Sequence, residues 1–324
     1  MKYLHFELLF LIFFIPSMLL LLYVDTTMRS NEQAHIQYDN AIDHSVEDGI
    51  AHMVEYDDTD SMILNKDAAV DRFYESAYAA LGISDSPSAK VWLDIYTPVI
   101  LMTDTDGFYI RHCYESTDAN GDTQMLSGWS EKYTYTKQGG QYVLSFTISD
   151  VVQILDTTSN SVLEGDYHDL LRMMPALSVA FPFLSSDTAF VTEKHLCMSD
   201  AISDRMEYFI NEHNRIADEY GIKYHFFLPS VENDDWERAI DGIAMMVIFQ
   251  GYPYPSGRGY FNMVTVSGSR LAKYPWYYIS PVNDRNVYHR GNCPLITEAA
   301  KEHPYDSARS CAKAGAYPCN LCNP

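Results

Sequence analysis

Residues 8–24 of the chain read LLFLIFFIPSMLLLLYV, a run without a single charged side chain. This length is the lower limit for a helix that crosses a bilayer, and residues 3–6 can extend it. A backbone in lipid must satisfy its own hydrogen bonds, so we expect a transmembrane helix with a kink at Pro16. No small-residue cleavage motif follows Val24, which favours an uncleaved membrane anchor over a removable signal peptide.

The charges around this segment predict its orientation. Lys2 precedes the apolar run and Asp25 follows it, so the positive-inside rule places the amino terminus in the cytoplasm. Glu7 has two interpretations: a carboxylate hydrated by headgroup water, or a pilin-like carboxylate that pairs with a neighbouring subunit's amino terminus. The absence of a Gly or Ala processing site before Glu7 favours the first. We therefore predict a single-pass protein in the cell membrane, with the bilayer contacting residues 8–24 and most of the chain extracytoplasmic.

The composition is that of a folded and strongly acidic protein. Hydrophobic residues make up 47% of the 324 positions and charged residues 20%, which excludes a disordered chain. The net charge is -22, and the excess of Asp and Glu lies before residue 285, whereas the last forty residues carry more cations than carboxylates. An acidic body repels phosphate backbones, so we expect no nucleic-acid partner.

Between the anchor and the tail, the periodicity predicts an α+β domain rather than a doubly wound sheet. Apolar positions at three- and four-residue steps predict an amphipathic stalk helix over 34–54 and a long helix over 186–220. Asn65 is a candidate N-cap of another helix. Apolar runs around the turns at 104–107 and 139–140 predict two antiparallel hairpins. Further strands are predicted at 224–228, 243–249, 260–266 and 276–279.

These patterns divide the chain into four predicted parts. They are a membrane anchor (1–24), a stalk helix (25–58), an α+β ectodomain with an antiparallel sheet (59–285) and a Cys/His module (286–324).

Several features in the body have a plain structural explanation that we prefer to a functional one. Asp104 and Asp106 are too few ligands for Ca²⁺, so we interpret them as turn residues. His213 lies on the apolar face of a predicted helix, where a hydrogen-bonded core histidine is expected more often than a ligand. The Gly/Pro-rich segment 251–259 can be a binding loop, but a hairpin connection is the simpler interpretation. No catalytic motif is present, so we predict no catalytic residues and no enzyme.

The tail carries the one specific constellation of the sequence. His289 and Cys293 are four residues apart, Cys319 and Cys322 are three apart, and a short insert separates the two pairs. Two close ligand pairs of this kind suit a tetrahedral Zn²⁺ site. Disulfides are the alternative, because an extracytoplasmic location permits them, but His289 has no role in that case. Cys311 lies off the ligand spacing and is predicted to be a packed thiol.

The pattern YHxxxC…AxxGxxPCxxCxP in this tail resembles the small zinc-binding module of the adaptive-response DNA-alkylation repair proteins. Similar tails follow secreted nuclease and competence-type domains of bacteria. The resemblance covers about 38 residues and implies a metal-stabilised minidomain in which His289, Cys293, Cys319 and Cys322 take the places of four cysteine ligands. His289 departs from that pattern. The resemblance does not extend to methyl transfer or DNA binding.

The anchor, the stalk and the hairpin PVILMTDTDGFYI (98–110) together resemble single-pass proteins associated with tight-adherence pili of Gram-positive bacteria. That resemblance implies a minor subunit or an assembly factor with one N-terminal helix and an external α+β domain. We therefore expect a non-enzymatic component of a bacterial pilus or secretion apparatus, with protein partners in a surface assembly. Two alternatives stay open: an extracytoplasmic ligand-binding module, and a cell-surface hydrolase with a zinc-stabilised tail.

Overall fold

The computed structural model describes residues 2–56, 62–118, 120–228, 240, 242–268, 277–282, 285–290, 293–301, 303, 305, 308–319 and 321–322. Within these ranges the chain is an α+β protein with a long N-terminal helix and mainly antiparallel sheets, as predicted. The predicted boundary between stalk and body, at residue 58, lies outside the described residues.

The helices are α1 (Lys2–Ala51), α2 (Lys66–Ala80), α3 (Pro87–Ile95), α4 (Tyr167–Met173), α5 (Leu177–Ala180), a 3₁₀ turn (Pro182–Ser185), α6 (Asp187–Glu219), α7 (Glu298–Lys301) and α8 (Ala308–Lys313). The strands are β1 (Val54–Tyr56), β2 (Met62–Leu64), β3 (Val99–Asp104), β4 (Gly107–Thr117), β5 (Thr123–Trp129), β6 (Tyr135–Gly139), β7 (Tyr142–Phe146), β8 (Val151–Asp156), β9 (Ser161–Asp166), β10 (Ala244–Pro253), β11 (Tyr260–Gly268), β12 (Tyr277–Val282), β13 (Arg285–Arg290) and β14 (Tyr317–Pro318).

Helix α1 is one continuous helix of 50 residues, and Pro16 lies inside it. Near this proline, the hydroxyl of Ser17 donates to the carbonyl of Phe13 at 2.7 Å. The apolar side chains from Phe10 to Tyr23 project from the fold and are about half or more exposed. By length and composition this segment can cross a membrane, and a signal sequence has the same properties.

The second half of α1 packs on the body. Ile42, Val46 and Ile50 are buried there, against α2 and the sheet. A Cβ atom on Gly49 would lie only 2.9 Å from the carbonyl oxygen of Ala69 in α2, so glycine permits the close approach of the two helices. The side chain of Asn65 accepts from the N–H of Ala68 at 3.0 Å, which confirms the predicted N-cap of α2.

The main sheet has five strands in the order β11-β10-β3-β4-β5, and a four-strand meander β6-β7-β8-β9 forms a second sheet. Both predicted hairpins are confirmed. Asp104 pairs with Gly107 across the β3–β4 turn, and Gly139 pairs with Tyr142 across the β6–β7 turn. Gly140, in the β6–β7 turn, has a φ of 62°. Tight β-hairpin turns require such positive φ values, which glycine adopts easily.

Both faces of β3, a central strand of the five-stranded sheet, are buried, which explains why β3 is a continuous apolar run. Val99 and Leu101 point to the side of α6 and the meander, whereas Ile100 and Met102 point to the side of α1 and α2. Residues of a strand alternate between faces, so a strand covered on both sides must be apolar at successive positions.

The prediction of a strand at 224–228 is wrong, because residues 222–228 have no regular secondary structure. Side-chain amides take the place of a neighbouring strand there. Asn214 bonds both backbone groups of Phe226, and Gln250 bonds both backbone groups of Phe227, at 2.7–3.1 Å. The predicted strands at 243–249 and 260–266 are confirmed as β10 and β11.

Candidate metal centre

The tail has its own small sheet, whose described strands pair only with one another. Strand β12 pairs antiparallel with β13, with Tyr278 opposite His289, and the short β14 runs parallel to β13. The domain boundary that we predicted between residues 285 and 286 falls inside β13, after its first residue. Strand β12, which that boundary assigned to the body, lies in the same sheet as the strand that carries His289. Its first predicted residue, Trp276, lies outside the described residues.

The sheet positions the two halves of the Cys/His motif side by side. His289 is near the end of β13, and Cys293 follows that strand. Cys319 follows β14 directly, and its N–H donates to the carbonyl of Tyr288 at 3.0 Å. Pairing β14 beside β13 thus brings the second ligand pair of the sequence to the first.

The four side chains form one compact cluster. Their ligand atoms, three Sγ atoms and one imidazole nitrogen, all lie within 4.8 Å of one another. The Sγ of Cys293 is 3.3 Å from Nδ1 of His289. Ligands at zinc–sulfur and zinc–nitrogen bond lengths in a tetrahedron are about 3.5–3.8 Å apart. The spacing therefore fits one metal ion shared by His289, Cys293, Cys319 and Cys322.

Burial and hydrogen bonding favour the protonation states that a metal ligand needs. His289 is fully buried, and burial lowers its pKa, which favours the neutral imidazole. Burial acts to raise the pKa of Cys319, but hydrogen bonds from the backbone N–H groups of Cys322 and Leu321 and from the thiols of Cys322 and Cys293 together outweigh it, so that the pKa of this thiol is lowered. The N–H of Leu321 lies 3.3 Å from that sulfur. A lowered thiol pKa favours the thiolate, the form that binds metal.

One polar atom in the cluster has no protein partner. Nε2 of His289 is buried and makes no hydrogen bond within the described part of the chain. A metal bound through Nδ1, the ring nitrogen beside Cys293, would leave Nε2 unpaired, so this atom is not evidence for a metal. The support for a metal comes from the type of the donors, three thiols and one imidazole, and from their spacing.

Cys311 is a packed thiol, as predicted. It is fully buried with Tyr277 and Ala316 in the apolar cluster of the tail. No disulfide joins any of the six cysteines, all of which are described.

Three other interpretations from the sequence are confirmed by their surroundings. Asp104 and Asp106 form the predicted turn, and the ammonium of Lys132 donates to both carboxylates, so a cationic side chain occupies the place of a metal. His213 is a core residue whose Nε2 lies 2.9 Å from the carbonyl of Ile95. Burial lowers its pKa to about 4. The segment 251–259 comprises the last residues of β10 and the turn that connects β10 to β11, as expected of a hairpin.

The sequence did not indicate a polar network between α2, α3 and the β4–β5 pair. Asp94 accepts hydrogen bonds from Tyr74 at 2.6 Å, from Arg111 at 3.0 Å and from Ser127 at 2.9 Å. These residues come from four different elements, so no local spacing connects them. Burial raises the pKa of the neighbouring Cys113 to about 11, so its thiol stays protonated and is a poor nucleophile. We assign this network a structural role.

Comparisons with protein-family models, with curated proteins and with solved structures give no match to this chain.

Proposed function

We propose that the protein is a single-pass membrane protein that serves as a structural or assembly subunit of a bacterial surface filament or secretion apparatus. In this proposal α1 anchors an extracytoplasmic body, and a zinc ion stabilises the tail. The observation that carries the proposal is the continuity of α1, which is one helix from its exposed apolar half into the core of the body.

The exposed half of α1 requires an apolar environment. Its side chains from Phe10 to Tyr23 point outward in all directions, and none of this window is buried in the fold. Exposing such a surface to water is unfavourable by about 25 cal/mol per Å². A bilayer or a bundle of equivalent helices removes that cost, and a subunit of an assembled apparatus uses both environments.

The other half of α1 is held by specific contacts, so the body cannot swing freely on the anchor. The side chain of Asn31 donates to the carbonyl of Arg258 at 3.0 Å. Further along, the hydroxyl of Thr265 donates to Asp43 at 2.8 Å. A domain on a flexible linker turns independently of its anchor, whereas this body is rigidly joined to the helix. Rigid attachment suits a part that transmits load or fixes geometry in an assembly.

The alternative role as a ligand-binding module was motivated by the hairpin-rich body and by the loop 251–259. Tyr254 and Arg258 of this loop contact α1, so the contacts of the loop support a structural role.

Zinc is the metal that the donor set favours. Three thiolates and one imidazole in a compact cluster are typical ligands of structural Zn²⁺, whereas Mg²⁺ and Ca²⁺ take oxygen ligands. The buried imidazole of His289 supports a metal over a disulfide, since a disulfide joins only cysteines and would not explain why a histidine lies buried among them.

The anchor is tested by alkaline extraction of membranes that contain the full-length chain. We expect the chain to stay in the membrane fraction, and the double substitution Leu19→Arg/Leu20→Arg to release it, because each charge costs about 2.5–3.5 kcal/mol in mid-membrane. Met28→Arg, an exposed position beyond the apolar run, is the matched control and should be retained. Release of the wild-type chain would contradict the anchor.

Assembly is tested by chemical cross-linking in the native membrane. The full-length chain should yield cross-linked species larger than the monomer, and a chain lacking residues 2–24 should lose them while its body still folds. A truncated body that assembled into the same species would contradict a role of α1 in assembly.

The topology is tested by a separate experiment. Protease added to intact cells should remove the tail if the body is extracytoplasmic.

A further inference from the structure

The β10–β11 hairpin extends along α1 towards the proposed membrane surface. The carbonyl of Arg258 accepts from Asn31 at 3.0 Å, and the hydroxyl of Tyr254 lies 3.0 Å from a ring nitrogen of His35. The guanidinium of Arg258 lies 5.3 Å from the centroid of the Tyr23 ring. The tip of the hairpin, residues 254–259, therefore follows α1 back to the end of its apolar run.

The rise of α1 gives the height of this tip above the hydrocarbon core. Asn31 is seven residues beyond Val24, and a helix rises 1.5 Å per residue, so Asn31 lies about 10 Å past the end of the apolar run. The headgroup layer of one leaflet is about 5–7 Å thick. The backbone of Arg258 thus lies just outside that layer, and its guanidinium, beside Tyr23, lies within it.

The tip has a defined conformation that holds it at this height. The N–H of Gly257 donates to the carbonyl of Tyr254 at 2.9 Å, closing a four-residue turn with Pro255 at its second position. Proline favours that position because its ring fixes φ. The hydroxyl of Ser256 accepts from the N–H of Arg258 at 3.2 Å.

An aromatic cluster fixes the base of the hairpin on α1. The ring of Tyr38 packs edge-on against Tyr252 at 5.1 Å between centroids and against Phe261 at 5.5 Å. A hairpin fixed at its base and closed by a turn at its tip cannot easily move away from the helix.

The charge of the tip is opposite to that of the chain as a whole. The chain carries a net charge of -22, yet the charged side chain of the tip is the exposed Arg258, whose guanidinium lies beside Tyr23. A guanidinium matches the geometry of a phosphate, and tyrosine rings such as Tyr23 favour the interface. The other cation at this level, Arg29, is paired with Asp25 at 2.9 Å.

We propose that the tip of the β10–β11 hairpin lies against the phospholipid headgroup layer and that the side chain of Arg258 reaches into this layer and binds a lipid phosphate. This second contact with the membrane fixes the height and tilt of the body on its anchor. The inference rests on insertion of α1 into the bilayer, as in the proposed function.

The test places the photoreactive amino acid benzoylphenylalanine at one position at a time in the full-length chain, reconstituted in phosphatidylcholine/phosphatidylglycerol vesicles. The three positions are Leu19 in the apolar run, Pro255 at the tip, and His52 at the far end of α1, about 40 Å from Tyr23 by the helical rise. After illumination, mass spectrometry measures lipid adducts. We expect adducts at Leu19 and Pro255, and background yield at His52.

The outcomes separate the two proposals. Adducts at Leu19 with only background at Pro255 would overturn the headgroup contact and leave the anchor intact. Background at all three positions would overturn the anchor and the headgroup contact together. Arg258→Glu should lower the yield at Pro255 by more than the roughly fivefold effect of one basic residue at an anionic surface, because the new carboxylate also repels the lipid, without changing the yield at Leu19. Arg258→Lys should retain most of it, and an unchanged yield in Arg258→Glu would overturn the phosphate contact.

Discussion

The body and the tail bury very different amounts of apolar surface. The body has two extensive clusters of buried residues, one on each face of the five-stranded sheet. Among the described residues of the tail there is one small cluster, in which Tyr277, Cys311 and Ala316 are buried. A core of that size cannot offset the conformational entropy of folding, and small modules of this kind rely on metals or disulfides. We therefore expect the body to be stable by burial and the tail by its Cys/His cluster.

The largest effect should follow from removing one ligand of the cluster. Binding of a structural zinc contributes about 10–16 kcal/mol to the folding of a small module, so Cys319→Ser should unfold the tail and abolish zinc binding. The body should keep its cooperative unfolding transition. Elemental analysis measures the metal, and limited proteolysis measures which part of the chain becomes susceptible.

The matched control is Cys197→Ser, which removes a partly exposed thiol from α6 in the body. It should leave both the zinc content and the protease resistance of the tail unchanged. If the tail stays folded without metal but loses its protease resistance in a reductant, the result would contradict the zinc site and show that disulfides stabilise the tail.

The core of the body provides the next effect in size. Phe108 is fully buried, and its ring stacks on Tyr135 with 5.5 Å between centroids. Phe108→Ala should destabilise the body by about 3–5 kcal/mol, because it removes buried surface and leaves a cavity. Denaturant unfolding of the full-length chain in detergent measures this loss, while the zinc content should stay the same. Val162→Ala, at an exposed position, should have little effect. Equal losses from both substitutions would contradict the assigned core.

A third prediction concerns the pH dependence of the body. Burial lowers the pKa of His213 from 6.5 to about 4, so the unfolded chain takes up a proton at a pH where the folded chain does not. The contribution of His213 to the free energy of unfolding is therefore present above pH 6.5 and is lost as the pH falls towards 4. The loss between pH 7 and pH 4.5 is about 2–3 kcal/mol.

Unfolding at these two pH values, compared between wild type and His213→Gln, isolates the contribution of this histidine. Glutamine keeps a donor for the carbonyl of Ile95 and does not titrate. The variant should therefore lose less stability on acidification than the wild type. His225→Gln, at an exposed histidine, is the control and should follow the wild type. A wild type and a His213→Gln variant with the same acid sensitivity would contradict the prediction.

Local patterns in the sequence predicted the features of the fold that depend on neighbours along the chain. The hairpin at 104–107 and the cap at Asn65 were predicted because turn and cap chemistry is local. The helix α3 was not predicted, since its capping residue Ser86 and its first residue Pro87 stand in a stretch rich in Ser and Pro, which are also typical turn residues. The segment 222–228 was misassigned because its backbone partners are side chains distant in sequence.

The same distinction applies to the sites. The Cys/His cluster was predictable because each half is a short-range pair, His289 with Cys293 and Cys319 with Cys322, although only the fold shows that the halves meet. The contact of Arg258 with Tyr23 and Asn31 joins residues more than two hundred positions apart. No spacing in the sequence indicates such a contact, and it depends on α1 lying along the β10–β11 hairpin.

The smallest effect should come from the cap of α2, which lies in the body and far from the metal cluster in sequence. The side chain of Asn65 accepts from the N–H of Ala68, and loss of an N-cap costs about 1 kcal/mol. Asn65→Ala should lower the unfolding free energy of the body by this amount, and Asn65→Asp should retain most of it. Neither substitution should alter zinc content or the protease sensitivity of the tail. A loss of tail protection in Asn65→Ala would show that the two regions fold as one unit, and the contrast between a body stabilised by burial and a tail stabilised by metal would then fail.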